Sequence, residues 1–99
     1  MNWNPSEHDC VSAAGDAVAC EFGEGLALLN LKSNIYYSLN SVGAFIWELI
    51  QEPKSIADIR GAVLGRYNVD AERCRADVDA LLKGLAENGL ARLHNEALV

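Results

Sequence analysis

The spacing of apolar residues along the chain changes near residue 40. Before that point the segment "LALLNL" (residues 26–31) is almost continuously apolar, as in a strand that is covered on at least one face. The segment "IYYSL" (residues 35–39) is β-branched and aromatic, a composition that favours a strand. Between them "KSN" (residues 32–34) supplies residues that form tight turns. These segments predict a β-hairpin over residues 26–39.

Two earlier segments, "CVSAAG" (residues 10–15) and "AVACEF" (residues 17–22), are short and apolar, and they predict further strands. After residue 40 the apolar residues recur at intervals of three and four, which predicts helices. Asn40 or Ser41 can cap the first helix, and Pro53 ends it. Its apolar face consists of Val42, Phe45, Ile46, Leu49 and Ile50.

Two more helices follow in the same period. Ser55 and Asp58 resemble a capping pair at the start of the second helix, whose apolar residues are Ile56, Ile59, Val63, Leu64 and Tyr67. Asp70 begins the third helix, and Gly89 is suited to its carboxyl-terminal end. The apolar stripe of this third helix consists of Cys74, Val78, Leu81, Leu82 and Leu85.

Strands followed by helices indicate an α+β domain with helices on one face of an antiparallel sheet. The length of 99 residues favours one domain. We expect a loose amino-terminal arm over residues 1–8, the domain over residues 9–93 and a tail over residues 94–99. The segment "LARL" (residues 90–93) is compatible with a short strand or with an extended tail.

The net charge of −6 argues against nucleic acid and anionic membranes as partners, since both attract basic proteins. No apolar run approaches the roughly 20 residues that span a bilayer. The amino terminus also lacks the basic and apolar regions of a secretory signal. We therefore expect a cytoplasmic protein.

Groups suited to catalysis are sparse. His8 and His94 lie near the two ends of the chain, where an oriented general base is not expected. Cys10, Cys20 and Cys74 are odd in number and form no Cys-x-x-Cys pair, so reduced thiols are favoured over a disulfide framework or a zinc site. The sequence thus predicts neither an enzyme nor a metal or cofactor site.

Peptide binding is the more specific interpretation. The strand at residues 35–39 carries Tyr36 and Tyr37 side by side and contains no Pro or Lys, the residues that usually protect an exposed sheet edge. An extended peptide could add to such an edge as a further strand, with the apolar stripe of the third helix as the floor of a groove. The simpler alternative is that these tyrosines and leucines only form the core.

The ordered set of residues from about 17 to 93 resembles the PqqD-like family, also called RiPP recognition elements, which serve ribosomally made and post-translationally modified peptides. The matching residues are Leu39, Asn40, Gly43, Ala44, Ile46, Trp47, Glu48, Leu49, Ile59, Leu64, Tyr67, Asp77, Val78, Leu81, Leu82, Leu85, Gly89 and Leu90.

The resemblance implies a winged-helix-like fold in which a small antiparallel three-stranded sheet packs on three helices. It also implies that a precursor leader peptide adds to the third strand, in a cleft closed by the third helix. The implied peptide-binding residues on the strand are Asn34, Ile35, Tyr36, Tyr37, Ser38 and Leu39. Those on the helix are Cys74, Arg75, Asp77, Val78, Leu81, Leu82 and Leu85. Asp77 would accept a hydrogen bond or meet a basic leader residue, or else only orient Arg75 or Lys83.

The chain lacks the Pro-Glu-Gly run of members that serve pyrroloquinoline quinone synthesis. The spacing from Tyr36 to Trp47 looks more like the stand-alone subunits that accompany a leader peptidase in lasso-peptide pathways. A radical-SAM maturase remains the alternative enzyme partner. A winged-helix DNA-binding regulator, a small enzyme and a homodimer formed through the exposed strand are the rival interpretations, and the mixed charge of the third helix disfavours the first of them.

Overall fold

A computed structural model describes residues 5–94 of the chain. The strands are β1 (Cys10–Ala13), β2 (Ala17–Phe22), β3 (Gly25–Asn30), β4 (Ile35–Leu39), β5 (Lys54–Ser55) and β6 (Ala91–His94). The helices are α1 (Ser41–Leu49), α2 (Ile56–Arg66) and α3 (Ala71–Glu87). The predicted α+β, winged-helix-like class is confirmed.

Strands β2, β3 and β4 form an antiparallel sheet in sequential order. Residue Ala27 pairs with Ser38, so the hairpin has the predicted location. Asn34 adopts a φ of 60° in the turn before β4, a left-handed conformation that Asn tolerates better than most residues. Gly23 has the same φ in the turn between β2 and β3. The hairpin predicted from residues 26–39 is therefore present as β3 and β4.

A second antiparallel sheet, in the order β5–β1–β6, accompanies the first. Strand β1 pairs with β6 from Cys10–His94 to Ala13–Ala91, so the segment at residues 90–93 is largely strand rather than tail. This sheet was not predicted, because its members are two to four residues long and far apart in sequence. Short strands pair only where the tertiary fold brings them together.

The helices begin at the predicted capping residues. The Asn40 side chain accepts a hydrogen bond from the Gly43 amide at 2.9 Å. The Ser55 hydroxyl accepts one from the Asp58 amide at 3.0 Å, and Asp70 caps α3 in the same way. Each cap satisfies an amide that the first helical turn leaves without a backbone partner. These starts orient the three apolar faces toward one core, whose fully buried residues include Leu28, Ile46, Ile50, Ile56, Ile59, Val78, Leu82, Leu85 and Leu90.

A buried asparagine joins the hairpin to the end of α3. The side-chain Nδ2 of Asn30 donates a hydrogen bond to the Asn88 backbone carbonyl at 2.9 Å. The side-chain Oδ1 of Asn30 accepts a hydrogen bond from the Lys32 backbone amide at 2.9 Å. Gly89, with a φ of 70°, passes so close that a Cβ there would lie 2.8 Å from the Asn30 nitrogen. The turn before β4 and the carboxyl end of α3 are thereby held together.

Polar contacts also fix the two long helices and the segment before β1. The Arg60 Nη2 on α2 donates to both carboxylate oxygens of Asp79 on α3, at 2.7 and 2.8 Å. The Ala57 amide donates to the Glu7 carbonyl at 2.9 Å. Residues 1–4 and 95–99, which belong to the expected arm and tail, lie outside the described residues, and the proposed division of the chain stays a prediction.

Candidate functional site

A cavity of about 430 Å³ opens where β4, all three helices and the α2–α3 connection meet. Its walls are mostly apolar side chains, which is usual for a ligand site. Its lining residues are Tyr37, Ser38, Leu39, Asn40, Val42, Gly43, Ile46, Val63, Tyr67, Val69, Cys74, Asp77, Val78 and Leu81. Asp77 is the carboxylate among them, and its side chain is largely exposed.

The cavity lies beside an unpaired strand edge. Strand β4 pairs with β3 on one side, and no strand of residues 5–94 pairs with its other side. Such an edge offers amide and carbonyl groups to an extended chain. The same holds for the outer edge of β2, but the mostly apolar cavity adjoins β4.

The structure brings seven of the thirteen predicted peptide-binding residues to this cavity. They are Tyr37, Ser38, Leu39, Cys74, Asp77, Val78 and Leu81. Asn34, Ile35 and Tyr36 are exposed at the turn and the first half of β4, along the same edge but outside the cavity. Arg75 is exposed and does not line the cavity.

Two predicted residues of α3 belong elsewhere. Leu82 and Leu85 are completely buried in the core and do not line the cavity. A helix advances 100° per residue, so Leu81 and Leu82 point in different directions although they are adjacent. The stripe read from the sequence therefore divides into a core side and a cavity side.

Asp77 has a different neighbour from those predicted. Its carboxylate lies 3.8 Å from Nε of Arg73, one turn earlier on the helix, and both side chains are mostly exposed. It does not form an ion pair with Arg75 or Lys83, which are described residues of the same helix. An exposed pair of this kind contributes little to stability, so Asp77 is open to exchange Arg73 for a ligand.

Seven cavity residues were not predicted as site residues: Asn40, Val42, Gly43, Ile46, Val63, Tyr67 and Val69. Asn40 was predicted only as a helix cap, and Val42, Ile46, Val63 and Tyr67 were predicted only as members of apolar helix faces. Val69 sits in the short α2–α3 connection and is 43% exposed. Val69 could have been singled out in the sequence as an apolar residue in an otherwise polar connection. Nothing in the sequence, however, places that connection beside β4.

The chemistry of the cavity suits binding of apolar groups. Burial raises the pKa of the Cys74 thiol, the nearby Asp77 carboxylate raises it further, and Arg60 opposes them. A raised pKa keeps Cys74 protonated and poorly nucleophilic. In the part of the chain that the structure describes, no group of three or more His, Cys, Asp or Glu residues could hold a metal ion. Cys74 thus acts as a small apolar wall residue.

Tyr37 closes one end of the cavity between β4 and α3 by packing on α3. Its side chain lies over Gly84, and a Cβ on residue 84 would overlap the Tyr37 hydroxyl. Because residue 84 lacks a side chain, the tyrosine ring reaches the helix backbone. The gap between β4 and α3 is therefore filled next to Gly84 and open beside Leu81 and Asp77.

Replacing Gly84 tests this contact. Ala is favoured over Gly in a helix by about 1 kcal/mol. Gly61→Ala on α2, where a Cβ meets nothing within 4 Å, is therefore expected to raise the free energy of unfolding by much of this amount. Gly84→Ala is expected to give no such increase, because the new methyl group displaces Tyr37. Adding Tyr37→Phe to Gly84→Ala removes the hydroxyl that is in the way and is expected to restore part of the increase. Urea unfolding of the single and double variants measures these differences. Equal stabilisation at residues 61 and 84 would contradict the contact.

The fold and the cleft define a class: a winged-helix-like α+β domain with a free strand edge beside an apolar cavity. Residues 25–91 match the family model described as "Coenzyme PQQ synthesis protein D (PqqD)". The chain belongs to this family, and the resemblance found in the sequence is confirmed. A search of curated proteins found no match.

Two solved structures are similar to this chain. One is described as "TbiB1 in Complex with the TbiA(beta) Leader Peptide", with 28% identity and a TM-score of 0.72, covering 82% of this chain and 94% of the other. The second is "Lasso peptide synthetase B1 complexed with the leader peptide", with 27% identity and a TM-score of 0.70, covering 83% of this chain and 96% of the other. Nearly the whole of each of these two chains thus superimposes on the fold described above.

Proposed function

We propose that this protein is a non-catalytic adaptor that binds the leader segment of a ribosomally made precursor peptide and presents it to a processing enzyme. The observation that carries the proposal is the unpaired edge of β4 beside a mostly apolar cavity of about 430 Å³. The leader adds to β4 as a fourth strand, and one apolar leader side chain enters the cavity between β4 and α3.

The binding energy comes from two sources. Main-chain hydrogen bonds along β4 contribute about 0.5–1.5 kcal/mol each, and an apolar anchor contributes about 1.5–3 kcal/mol when it is fully buried. Both are offset by the cost of ordering the leader. Because the backbone bonds are independent of leader sequence, the cavity supplies the specificity, with Asp77 at its rim as a site for a basic or hydrogen-bonding leader residue.

The favoured enzyme is the leader peptidase of a lasso-peptide pathway. The two similar structures support this choice, since both are described as complexes with a leader peptide and one is described as lasso peptide synthetase B1. An adaptor that holds both partners raises the effective concentration of leader at the enzyme without new chemistry. We place this activity in the cytoplasm, where free thiols such as those of Cys10, Cys20 and Cys74 stay reduced.

The description of the matching family favours a second candidate: the same adaptor role for a radical-SAM maturase, including one of pyrroloquinoline quinone synthesis. DNA binding is disfavoured, because the net charge is −6 and an operator-binding helix is normally basic. The adaptor role requires no metal or cofactor.

Fluorescence polarisation with a labelled leader segment tests the proposal. The leader is taken from a short precursor gene adjacent to this protein's gene, and a scrambled leader of equal composition serves as the control. We expect saturable binding with a micromolar or lower Kd for the native leader and at least about tenfold weaker binding for the scrambled one. Equal affinity for both peptides, or no binding, would refute leader recognition.

A further inference from the structure

Part of the cavity wall is the α2–α3 connection, the four residues 67–70 between the two helices. Tyr67 and Val69 line the cavity from it. Asn68 and Val69 are exposed, and the Val69 amide donates a hydrogen bond to the Tyr67 carbonyl at 3.1 Å, which ties residues of the connection to one another. A segment with few buried contacts opens easily, so this wall depends on a contact that fixes it to a helix.

An aromatic pair supplies that contact. The Tyr67 ring meets the Phe45 ring of α1 edge-to-face, with the ring centres 5.9 Å apart and the ring planes at 73°, a geometry that aromatic pairs prefer. Phe45 does not line the cavity. The pair therefore fixes the α2–α3 connection to α1 from outside the proposed leader site.

Arg66 lies over both rings of this pair. Its guanidinium carbon is 4.8 Å from the centre of the Phe45 ring and 5.9 Å from that of Tyr67, and cation–π attraction extends to about 6 Å. Arg66 forms no ion pair within residues 5–94, so the rings rather than a carboxylate hold the guanidinium. It lines a groove of about 420 Å³ that also contains three carboxylates, those of Glu21, Glu24 and Glu48. These carboxylates favour a positive charge in the groove.

We propose that Arg66 is a positioning residue for leader binding, an inference that rests on the proposed leader-binding function. Arg66 does not line the cavity and acts through Tyr67, which lines both the cavity and the groove. By stacking on Phe45 and Tyr67, the guanidinium keeps the Tyr67 ring in the cavity wall. The α2–α3 connection, with Val69, is held in place by the same contact.

The effect on leader affinity depends on how often the wall is in place. A leader binds the fraction of molecules whose α2–α3 connection is in position, and the apparent Kd is the intrinsic Kd divided by that fraction. Loss of the Arg66 contact lowers the fraction and therefore slows association. Dissociation is not accelerated, because a bound leader packs against Tyr67 and Val69 and holds the wall itself.

The test measures association and dissociation of the labelled leader by stopped-flow fluorescence. Arg66→Gln is expected to lower the association rate constant about fivefold and to change the dissociation rate constant by less than about twofold. Arg66→Lys is expected to recover part of the loss, because an ammonium group can still lie over a ring but lacks the planar guanidinium. Arg92→Gln is the matched control, since Arg92 is exposed on β6 and lines neither the cavity nor the groove. It removes the same charge and is expected to change neither rate constant.

Phe45→Leu tests whether Arg66 acts through the aromatic pair. We expect it to slow association to a similar extent, and we expect the double variant with Arg66→Gln to be little slower than either single variant, because both changes break the same contact. A double variant whose loss equals the product of the two single losses would show that Arg66 acts on the leader independently of the rings. That result would overturn the positioning role.

A second measurement follows the wall without any leader. Cys74 lines the same cavity and is 3% exposed, so a thiol reagent reaches it when the wall moves. We expect N-ethylmaleimide to modify Cys74 at least about threefold faster in Arg66→Gln than in the wild type, as measured by mass spectrometry of the peptide that contains it. Cys20 is exposed and serves as the internal control, with an unchanged rate.

The outcomes separate the two proposals. Leader binding by the wild type, together with unchanged association and unchanged Cys74 modification in Arg66→Gln, would overturn the positioning role and leave the adaptor intact. A lower free energy of unfolding in Arg66→Gln with wild-type leader kinetics would assign Arg66 to stability alone and would also overturn it. Failure of the wild-type protein to bind leader would overturn the adaptor function, and the inference about Arg66 with it.

Discussion

Leu81→Glu is expected to lower the affinity for leader peptide by about 100-fold or more, because it removes a wall of the cavity and places a carboxylate where an apolar anchor would be buried. Leu81 lines the cavity and is only half-buried, so the glutamate can turn toward solvent in the free protein. The fold is therefore expected to survive, with an unchanged circular dichroism spectrum. Fluorescence polarisation with the labelled leader measures the loss.

Ala76→Glu is the matched control for this experiment. Ala76 is exposed on the same helix and does not line the cavity. The substitution therefore adds the same charge outside the proposed binding site. We expect less than about a twofold change in leader affinity, since residue 76 is exposed outside the cavity and a solvated charge is screened by water and salt. If both variants bind leader as the wild type does, the cavity does not hold the anchor.

Leu82→Ala is expected to lower the free energy of unfolding by about 2–5 kcal/mol, the usual cost of truncating a fully buried leucine. Leu82 is 0% exposed, and its loss leaves a void among tightly packed neighbours. The whole free energy of unfolding of a small domain is about 5–15 kcal/mol, so we expect a large shift in the urea midpoint. Leader affinity is expected to remain near that of the wild type while the variant stays folded.

Leu64→Ala provides the comparison, because the same atoms are removed from a side chain that is 40% exposed. Its cost is expected to be below about 1 kcal/mol. Together the variants of Leu81 and Leu82 distinguish a binding residue from a core residue at adjacent positions. A Leu82→Ala protein with wild-type stability and lost leader binding would contradict the core assignment.

The local elements could be predicted well from the sequence. The caps at Asn40, Ser55 and Asp70 and the left-handed Gly89 obey short-range hydrogen-bonding rules, and the structure has them where they were expected. The hairpin of β3 and β4 followed from a turn between two apolar segments in the same way. The α+β class followed from the order of these elements.

The residues that line the cavity were predicted only in part. Tyr37 and Asp77 could be found because each lies on an element with a clear pattern and a family resemblance. Val69 was not found, because its connection has no periodicity and reaches the cavity only through the packing of α2 on α3. The predicted set of peptide-binding residues on α3 included core residues, since periodicity identifies the apolar face of a helix but does not tell whether a residue on it packs in the core or lines a cavity.

By itself the sequence determined the strands β1 to β4, the three helices, the acidic charge and the family, because these depend on residues close together in the chain or on composition. Only the tertiary structure decided that β1, β5 and β6 form a second sheet, that Leu81 faces a cavity while Leu82 faces the core, and that Tyr37 rests on Gly84. The physical reason is that burial and shape depend on which distant segments pack together, and a local pattern of apolar residues is compatible with more than one such packing.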